Sequence, residues 1–470
     1  MMGSKAVMIV LHLTFTIVLA RLLTPEDFGI VAMVAVFTVF AEILKDAGLS
    51  AAAIQRKTLT EAQQSNLYWL NLLLGGLLTL LVAASAPLIA WFYGRPELIA
   101  VTLALSLSFT INAAAVQHRA ALSRALRFGP KAAAEAGGMA LKLIVAVILA
   151  LYGFGYWALV WATLAGLVMA SLVVIRYAPL RIGLPRRGAG TLSFVRFGAN
   201  VTLFNFANYF HRNLDNLLIG RISGAEALGH YSQAYALVMY PVSAIRAPVS
   251  AVALPVLSRL QDKPDQFRAY YLNMVRVIGM LSVPILMFAA VSGEVLIALL
   301  LGPGWEKASV LFSILCLAAI IQPAATMRGM TLLALGKSGR YAKWGSWHAL
   351  AMACFFCIGI WWGAEGVAWA YVAGTYLILY PSLMYVFRDT PVQPSGFIKA
   401  ILPVLSVSLA AAGLLVFIRS YDFLPEADLL RTGAELLIFM AMVYPVLLAF
   451  RPQDRAFLLQ IMAQFFSRKG

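Results

Sequence analysis

Five cations stand inside otherwise apolar runs of this chain: Lys142, Arg212, Arg246, Arg276 and Arg328. A lysine or arginine at the centre of a membrane helix costs on the order of 2.5–3.5 kcal/mol on insertion scales, so each calls for a partner, an aqueous path or an anionic ligand. Lys142 and Arg246 lie deepest, about 10 residues, or about 15 Å of helix, from a basic end of their runs. That is beyond the reach of a snorkelling stem. Lys142 either faces a lumen or pairs with Glu135 or a neighbouring helix; Arg246 has no acidic residue within a turn and is the best-placed candidate to meet an anion. Arg276 and Arg328 stand closer to the ends of their runs, where snorkelling is the alternative to lining a lumen. The run holding Arg246 also carries Pro241, Pro248 and Pro255 at a spacing of seven. Each removes a helical donor on nearly the same face and favours a bend, suiting either a gating element or a long tilted helix.

The carboxylates are fewer. Asp215 stands three residues after Arg212 in NYFHRNLDN, a spacing that lets the two pair on one helix face. With Asn208, Asn213 and Asn216 nearby, the alternative is a polar face that meets sugar hydroxyls or a coupling cation. Glu42 and Asp46 flank Lys45 and form either local pairs or the carboxylates that proton or sodium coupling needs. His12 is either a satisfied helix histidine or a protonation switch. Cys316, Cys354 and Cys357 lie in apolar runs with no second CxxC or His cluster, which leaves no zinc set. No P-loop, HExxH or GxSxG segment occurs, and no loop is long enough to fold as a catalytic domain, so no cofactor is expected.

The elements that must position these residues are membrane helices. Of the 470 residues, 62% are hydrophobic and 12% charged, against roughly 45–50% and about 25% in soluble domains. Fourteen spans are predicted, at 6–20, 28–44, 66–86, 98–117, 132–152, 155–175, 196–213, 227–256, 270–290, 308–335, 341–360, 364–386, 398–418 and 431–450. The first reads as a retained span, since no small-residue cleavage pattern follows it. Of 36 lysines and arginines, 24 fall in loops after even spans or in the C-terminal tail and only six in loops after odd spans. Lysine and arginine are retained on the cytoplasmic side, so both termini are expected there. The same asymmetry accounts for the net charge of +16 and removes the case for nucleic acid as a partner.

The chain also repeats. ARLLTPEDFG at 20–29 and GRISGAEALG at 220–229 share Arg21/Arg221, Glu26/Glu226 and Gly29/Gly229 at an offset of 200, each in the loop between an odd span and the next. Spans one and two thus correspond to spans seven and eight, and the six intervening spans give the halves one orientation. The expected architecture is an all-α integral membrane protein: a six-helix lobe over 1–185, a second over 186–388 related by a pseudo-two-fold axis along the membrane normal, and two appended helices with a cytoplasmic tail over 389–470. The Arg-, Gly- and Pro-rich loop 176–196 reads as a flexible linker between lobes. This is a transporter plan, although a channel or a membrane-embedded enzyme can share its span count.

Residues 20–29 followed by Asp46-Ala47-Gly48-Leu49 and Ile54-Gln55-Arg56-Lys57 resemble the opening of bacterial Wzx-type polysaccharide transporters, of the multidrug/oligosaccharidyl-lipid/polysaccharide exporter superfamily. The second half agrees through Asn213-Leu214-Asp215-Asn216, Gly229-His230-Tyr231-Ser232-Gln233-Ala234-Tyr235, Pro255 and Gly302-Pro303-Gly304-Trp305. The resemblance implies alternating access by two lobes in the bacterial inner membrane. The implied cargo is an undecaprenyl-pyrophosphate-linked oligosaccharide, flipped to the periplasmic leaflet for surface polysaccharide assembly. Polymerase and glycosyltransferase machinery would be its partners, besides membrane lipids. Between Lys5 and Arg21 the first span has no cation, so Lys142, Arg246 or other residues must supply the positive lumen. The competing readings are a lipid II flippase, a drug/cation antiporter, an integral-membrane polysaccharide polymerase and an anion channel. An antiporter for cations favours lumen carboxylates, and a polymerase needs a large periplasmic loop; neither pattern is present.

Overall fold

The computed structural model describes residues 2–44, 53, 59–186, 213–420 and 428–450, and every regular element among them is helical. Lipid offers the backbone no hydrogen-bond partners, so an apolar chain satisfies its N–H and C=O groups within helices. The first half contains α1 (Met2–Leu22), α2 (Pro25–Leu44), α3 (Glu61–Tyr93), α4 (Leu98–Arg124), α5 (Phe128–Leu151) and α6 (Tyr156–Tyr177). After α7 (213–222) come α8 (Gly224–Arg259), α9 (Pro264–Val291), α10 (Gly293–Leu301), α11 (Glu306–Ala319), α12 (Gln322–Thr326) and α13 (Arg328–Ala334). The chain continues as α14 (Ser338–Gly359), α15 (Gly363–Phe387), α16 (Pro394–Ile418) and α17 (Asp428–Phe450).

Among the described residues, nine stretches are long and apolar enough to cross a membrane, one of them covering both α14 and α15. The expected span at 308–335 is not one straight helix. It is broken between α11 and α12, and the two parts are bent by 44°. Counted as one span, the bent pair raises the number to ten. Most of the expected span 196–213 lies outside the described residues. Local signals set several boundaries. Thr60 and Gln63 form a reciprocal capping box at the start of α3, and Gly94, at a φ of 69°, closes that helix in the left-handed region.

The described residues pack into two compact units. One takes in residues 1–233 with 301–305 and 356–367, and the other residues 234–300, 306–355 and 368–470. In the first, α5 packs along α6 and α3 along α4. Gly138 and Gly166 allow α5 and α6 to meet backbone to backbone: a Cβ on either would come within 2.7 Å of the other's carbonyl oxygen. Small residues at such crossings are how helices associate in lipid, where burial of apolar surface gives no drive.

A second crossing lies where α2 and α8 begin. A Cβ on Gly29 would stand 1.8 Å from the Ala225 carbonyl oxygen, and one on Gly229 would stand 1.8 Å from that of Pro25. The two contacts are the same contact at an offset of 200. Around it gather the turns that follow α1, α3 and α5. Arg95 Nη1 donates to Glu26 at 2.6 Å, the space beside Gly155 is filled by Asp27, and Gly220 is packed under Tyr93. Trp305 Nε1 donates to the Ala20 carbonyl at 2.8 Å, and its ring meets Phe28 and His230 edge-on. At the opposite end of the unit, residues 183 and 186 are not free. Gly183 N donates to Ser65 Oγ at 2.8 Å while Trp69 Nε1 donates to the Gly183 carbonyl at 2.9 Å; Asn66 exchanges two hydrogen bonds with the Arg186 backbone. The first part of the expected linker is therefore pinned to α3.

In the second unit, α9 runs through a core of Phe267, Tyr271, Ile278, Leu383, Phe387 and Phe397. The last two helices are tied to the end of α9 by one charged knot. Arg419 donates to Glu435 at 2.6 Å, to the Val291 carbonyl at 2.6 Å and to Ser292 Oγ at 2.7 Å, while Arg431 reaches Glu435 at 3.4 Å.

Two stability outcomes follow. Gly29→Val or Gly229→Val forces the α2–α8 backbones apart and costs about 3 kcal/mol or more, read as a lowered thermal midpoint in detergent. Glu435→Ala leaves two arginines without their carboxylate and costs about 3 kcal/mol; Glu435→Gln, which keeps one acceptor, loses less in the same measurement.

Candidate functional site

In the first unit Lys142 sits one turn from the Gly138–Gly166 crossing, its Cβ 2.9 Å from where a Gly166 Cβ would be. Its ammonium lies over the Phe15 ring, 4.8 Å from the centroid. Glu135, the partner considered from sequence, is exposed near the start of α5, two turns away. No described carboxylate pairs with Lys142, and the aromatic face of α1 provides its contact instead. His12 on the same helix donates Nδ1–H to the Met8 carbonyl at 2.8 Å, the satisfied-histidine alternative.

Asp215 on α7 is 5% exposed. Its Oδ2 accepts from Tyr231 Oη at 2.9 Å and its Oδ1 from the Asn216 N–H at 2.8 Å. Arg212, the sequence-derived partner, lies outside the described residues, as do Asn208 and Asp46; the Glu42 side chain is likewise outside them. Tyr231 was visible in sequence only as part of a motif. Its bond to Asp215 crosses the turn into α8, where helical spacing gives no signal.

The second unit holds the other cations. Arg246 is half-buried on α8 between Pro241 and Pro248, and no described residue pairs with it. Arg276 on α9 is also half-buried; its Nη1 donates to Asn273 Oδ1 at 3.0 Å, while its Nε is buried with no partner. Arg328 is 6% exposed and does not snorkel. The bend in the 306–334 segment carries it into the core, where its guanidinium lies over Trp344 at 5.0 Å. Charge is thus sorted by partner. Arg419 and Arg431 share the Glu435 carboxylate, whereas Lys142, Arg246 and Arg328 have aromatic or no described partners. Cations desolvated in this way attract phosphate or carboxylate strongly, because nothing nearby competes for them.

A sequence profile described as "Polysaccharide biosynthesis protein" matches residues 18–310. The chain is 30% identical over 389 residues to the teichuronic acid biosynthesis protein TuaB of Bacillus subtilis, covering 81% of this chain and 79% of that protein. It is 26% identical over 337 residues to the lipopolysaccharide biosynthesis protein WzxC of Escherichia coli, covering 70% and 68%. Its fold resembles that of the lipid II flippase MurJ in an inward closed conformation, with a TM-score of 0.78 at 13% identity over 95% of this chain and 97% of that one. An inward-facing multidrug transporter of the MATE family follows at 0.60, with 15% identity over 86% and 96%. The MOP-type helical fold, the match over more than half the chain and the relative at 30% identity agree: this chain belongs to the polysaccharide biosynthesis protein family, among the Wzx-type transporters.

Proposed function

We propose that this protein is a flippase that moves an undecaprenyl-pyrophosphate-linked oligosaccharide from the cytoplasmic to the periplasmic leaflet by alternating access. The observation that carries the reading is the set of deep cations with no described carboxylate partner, Lys142 and Arg246 above all. An unpaired cation far from water is costly until an anion arrives, and a pyrophosphate is the anionic group that such a cargo presents. The relatives named for polysaccharide biosynthesis and the shared fold of a lipid II flippase support it. A drug/cation antiporter fits less well, since the deepest charges are positive.

The finer features belong to the same proposal. Fourteen spans form two like-oriented sets of six plus two, a reading supported by the offset of 200 that relates the Gly29 and Gly229 contacts. Both termini face the cytoplasm of a bacterial inner membrane, with polymerase and glycosyltransferase machinery as partners. Asp215, buried and without a described cation, is the coupling carboxylate, with Glu42 and Asp46 as further candidates. Its two donors orient one lone pair on each oxygen and leave others for a proton or sodium ion. The prolines of α8 let that helix change its bend as access switches.

The test is the sidedness of lipid-linked oligosaccharide in inner-membrane vesicles from cells lacking the gene. Cytoplasmic-leaflet accumulation that the wild type relieves, with flipping at least about tenfold slower for a stably expressed Arg246→Ala, is the expected result, one charge-assisted contact being worth about 1.5–3 kcal/mol. Normal sidedness with unpolymerised units collecting on the periplasmic side overturns it in favour of a polymerase. In proteoliposomes, Asp215→Asn abolishes the response of transfer to an imposed proton or sodium gradient while cargo binding persists; an unchanged gradient response removes Asp215 from coupling.

A further inference from the structure

Arg328 is buried among apolar and aromatic side chains, and its contact within the second unit is the Trp344 face. Its Nε has no hydrogen-bond partner, and no described carboxylate pairs with it. The hydroxyl of Tyr271, 0% exposed, is also without a partner, and Tyr271 belongs to the same core as Trp344 and the residues flanking Arg328, Met327 and Met330. Further along α9, the buried Nε of Arg276 is a third donor left unused. Unsatisfied buried polar atoms are uncommon in folded proteins, and a buried arginine and a buried tyrosine hydroxyl left unpaired in one core call for an explanation.

The surroundings hold that arginine in place. Trp344 Nε1 donates to Ser382 Oγ, which fixes the ring beneath the guanidinium. Gly329, the next residue, has no room for a side chain: a Cβ there would lie 2.7 Å from Tyr341 Cε2 and 3.3 Å from Trp344 Cζ3. The 44° bend brings the start of α13 to this point. A guanidinium stacked on an aromatic ring keeps its in-plane N–H groups available as a planar fork, the geometry that matches a carboxylate or phosphate.

We propose that Arg328, Tyr271 and Trp344 form a second anion site, separate from Arg246, that binds an oxyanion with the Arg328 fork and the Tyr271 hydroxyl while Trp344 holds the guanidinium flat. The site rests on the flippase reading only for the source of its ligand, which is either a carboxylate on an acidic sugar or a phosphate of the lipid carrier.

The experiment uses the full-length protein in nanodiscs of phosphatidylcholine, with thermal unfolding followed in inorganic pyrophosphate, D-glucuronate or glucose. At ten times the Kd, the wild-type midpoint rises by about 1–2 °C with at least one anion and does not move with glucose. Arg328→Met raises the midpoint without ligand, since the unpaired buried charge is gone, and weakens anion binding by at least about tenfold, the loss of one charge-assisted pair. Arg328→Lys, which keeps the charge without the fork, also binds more weakly than wild type. Arg388→Gln, at an exposed arginine, retains the wild-type response. A response to glucuronate supports the site with a sugar carboxylate as ligand; a response confined to pyrophosphate supports it with the carrier phosphate. No response in the wild type, or an Arg328→Met protein that unfolds earlier and still binds as well, overturns the site and makes Arg328 structural. Binding is read without transport, so its failure alongside normal flipping removes this site alone, and failed flipping alongside normal binding removes only the flippase reading.

Discussion

Two carbonyl oxygens, of Ala225 and Pro25, occupy the space that side chains would need at Gly29 and Gly229. In water such a crossing would be one contact among many. In lipid, where apolar surface gains nothing by leaving its surroundings, backbone-to-backbone approach is a main source of helix association. This crossing joins the beginnings of α2 and α8, which also carry the repeated Glu and Gly, with the repeated Arg at the ends of α1 and α7. The turns nearby are organised on it: the Arg95–Glu26 pair, the Trp305 bond to Ala20, and the ring contacts of Phe28 and His230 fall within the same end of the unit. A larger residue at either glycine would disturb all of them at once.

The charged residues divide along a second line, set by what each one touches. Arg419 donates to a carboxylate, a carbonyl and a hydroxyl, and it closes the last two helices onto α9. That is an arginine whose needs are met within the fold. Lys142 on Phe15 and Arg328 on Trp344 have aromatic faces instead, which hold a cation without neutralising it. Burial does not separate these groups, since Glu435 is as buried as Arg328. Partnership does, and it divides the cations that build the protein from those left to meet something else.

How much of this was legible in sequence depends on the range of the interaction. The long apolar helices between residues 61 and 177 and from 224 onward were readable because lipid imposes length and apolarity on a span. The glycine crossing left a trace as the Arg, Glu and Gly recurrence, since both partners of the contact occupy repeated positions. The break near Ile320 and Ile321 left none, because the residues on either side are equally apolar and periodicity does not register a change of axis. Arg328 was therefore placed by distance along a straight helix, which made snorkelling a reasonable alternative; the bend turns it into the core. For Lys142 the sequence offers a lumen, Glu135 or a neighbouring helix, and only the fold supplies its contact, Phe15, far away in sequence. The bond from Trp305 to Ala20 spans 285 positions and had no local signature beyond the Gly-Pro-Gly-Trp run. The bond from Tyr231 to Asp215 was hidden for the same reason on a smaller scale.

The prolines of α8 affect more than its curvature. A helical N–H ordinarily bonds the carbonyl four residues earlier, and proline has none to offer. Pro241, Pro248 and Pro255 therefore release the carbonyls of Leu237, Ala244 and Ala251 from that pairing. At a spacing of seven these oxygens recur on nearly one side of the helix, with Arg246 two residues beyond the middle one. An acceptor made of main chain does not change when a side chain does. Side chains along α8 can change while this row of oxygens, set by the prolines alone, stays where it is.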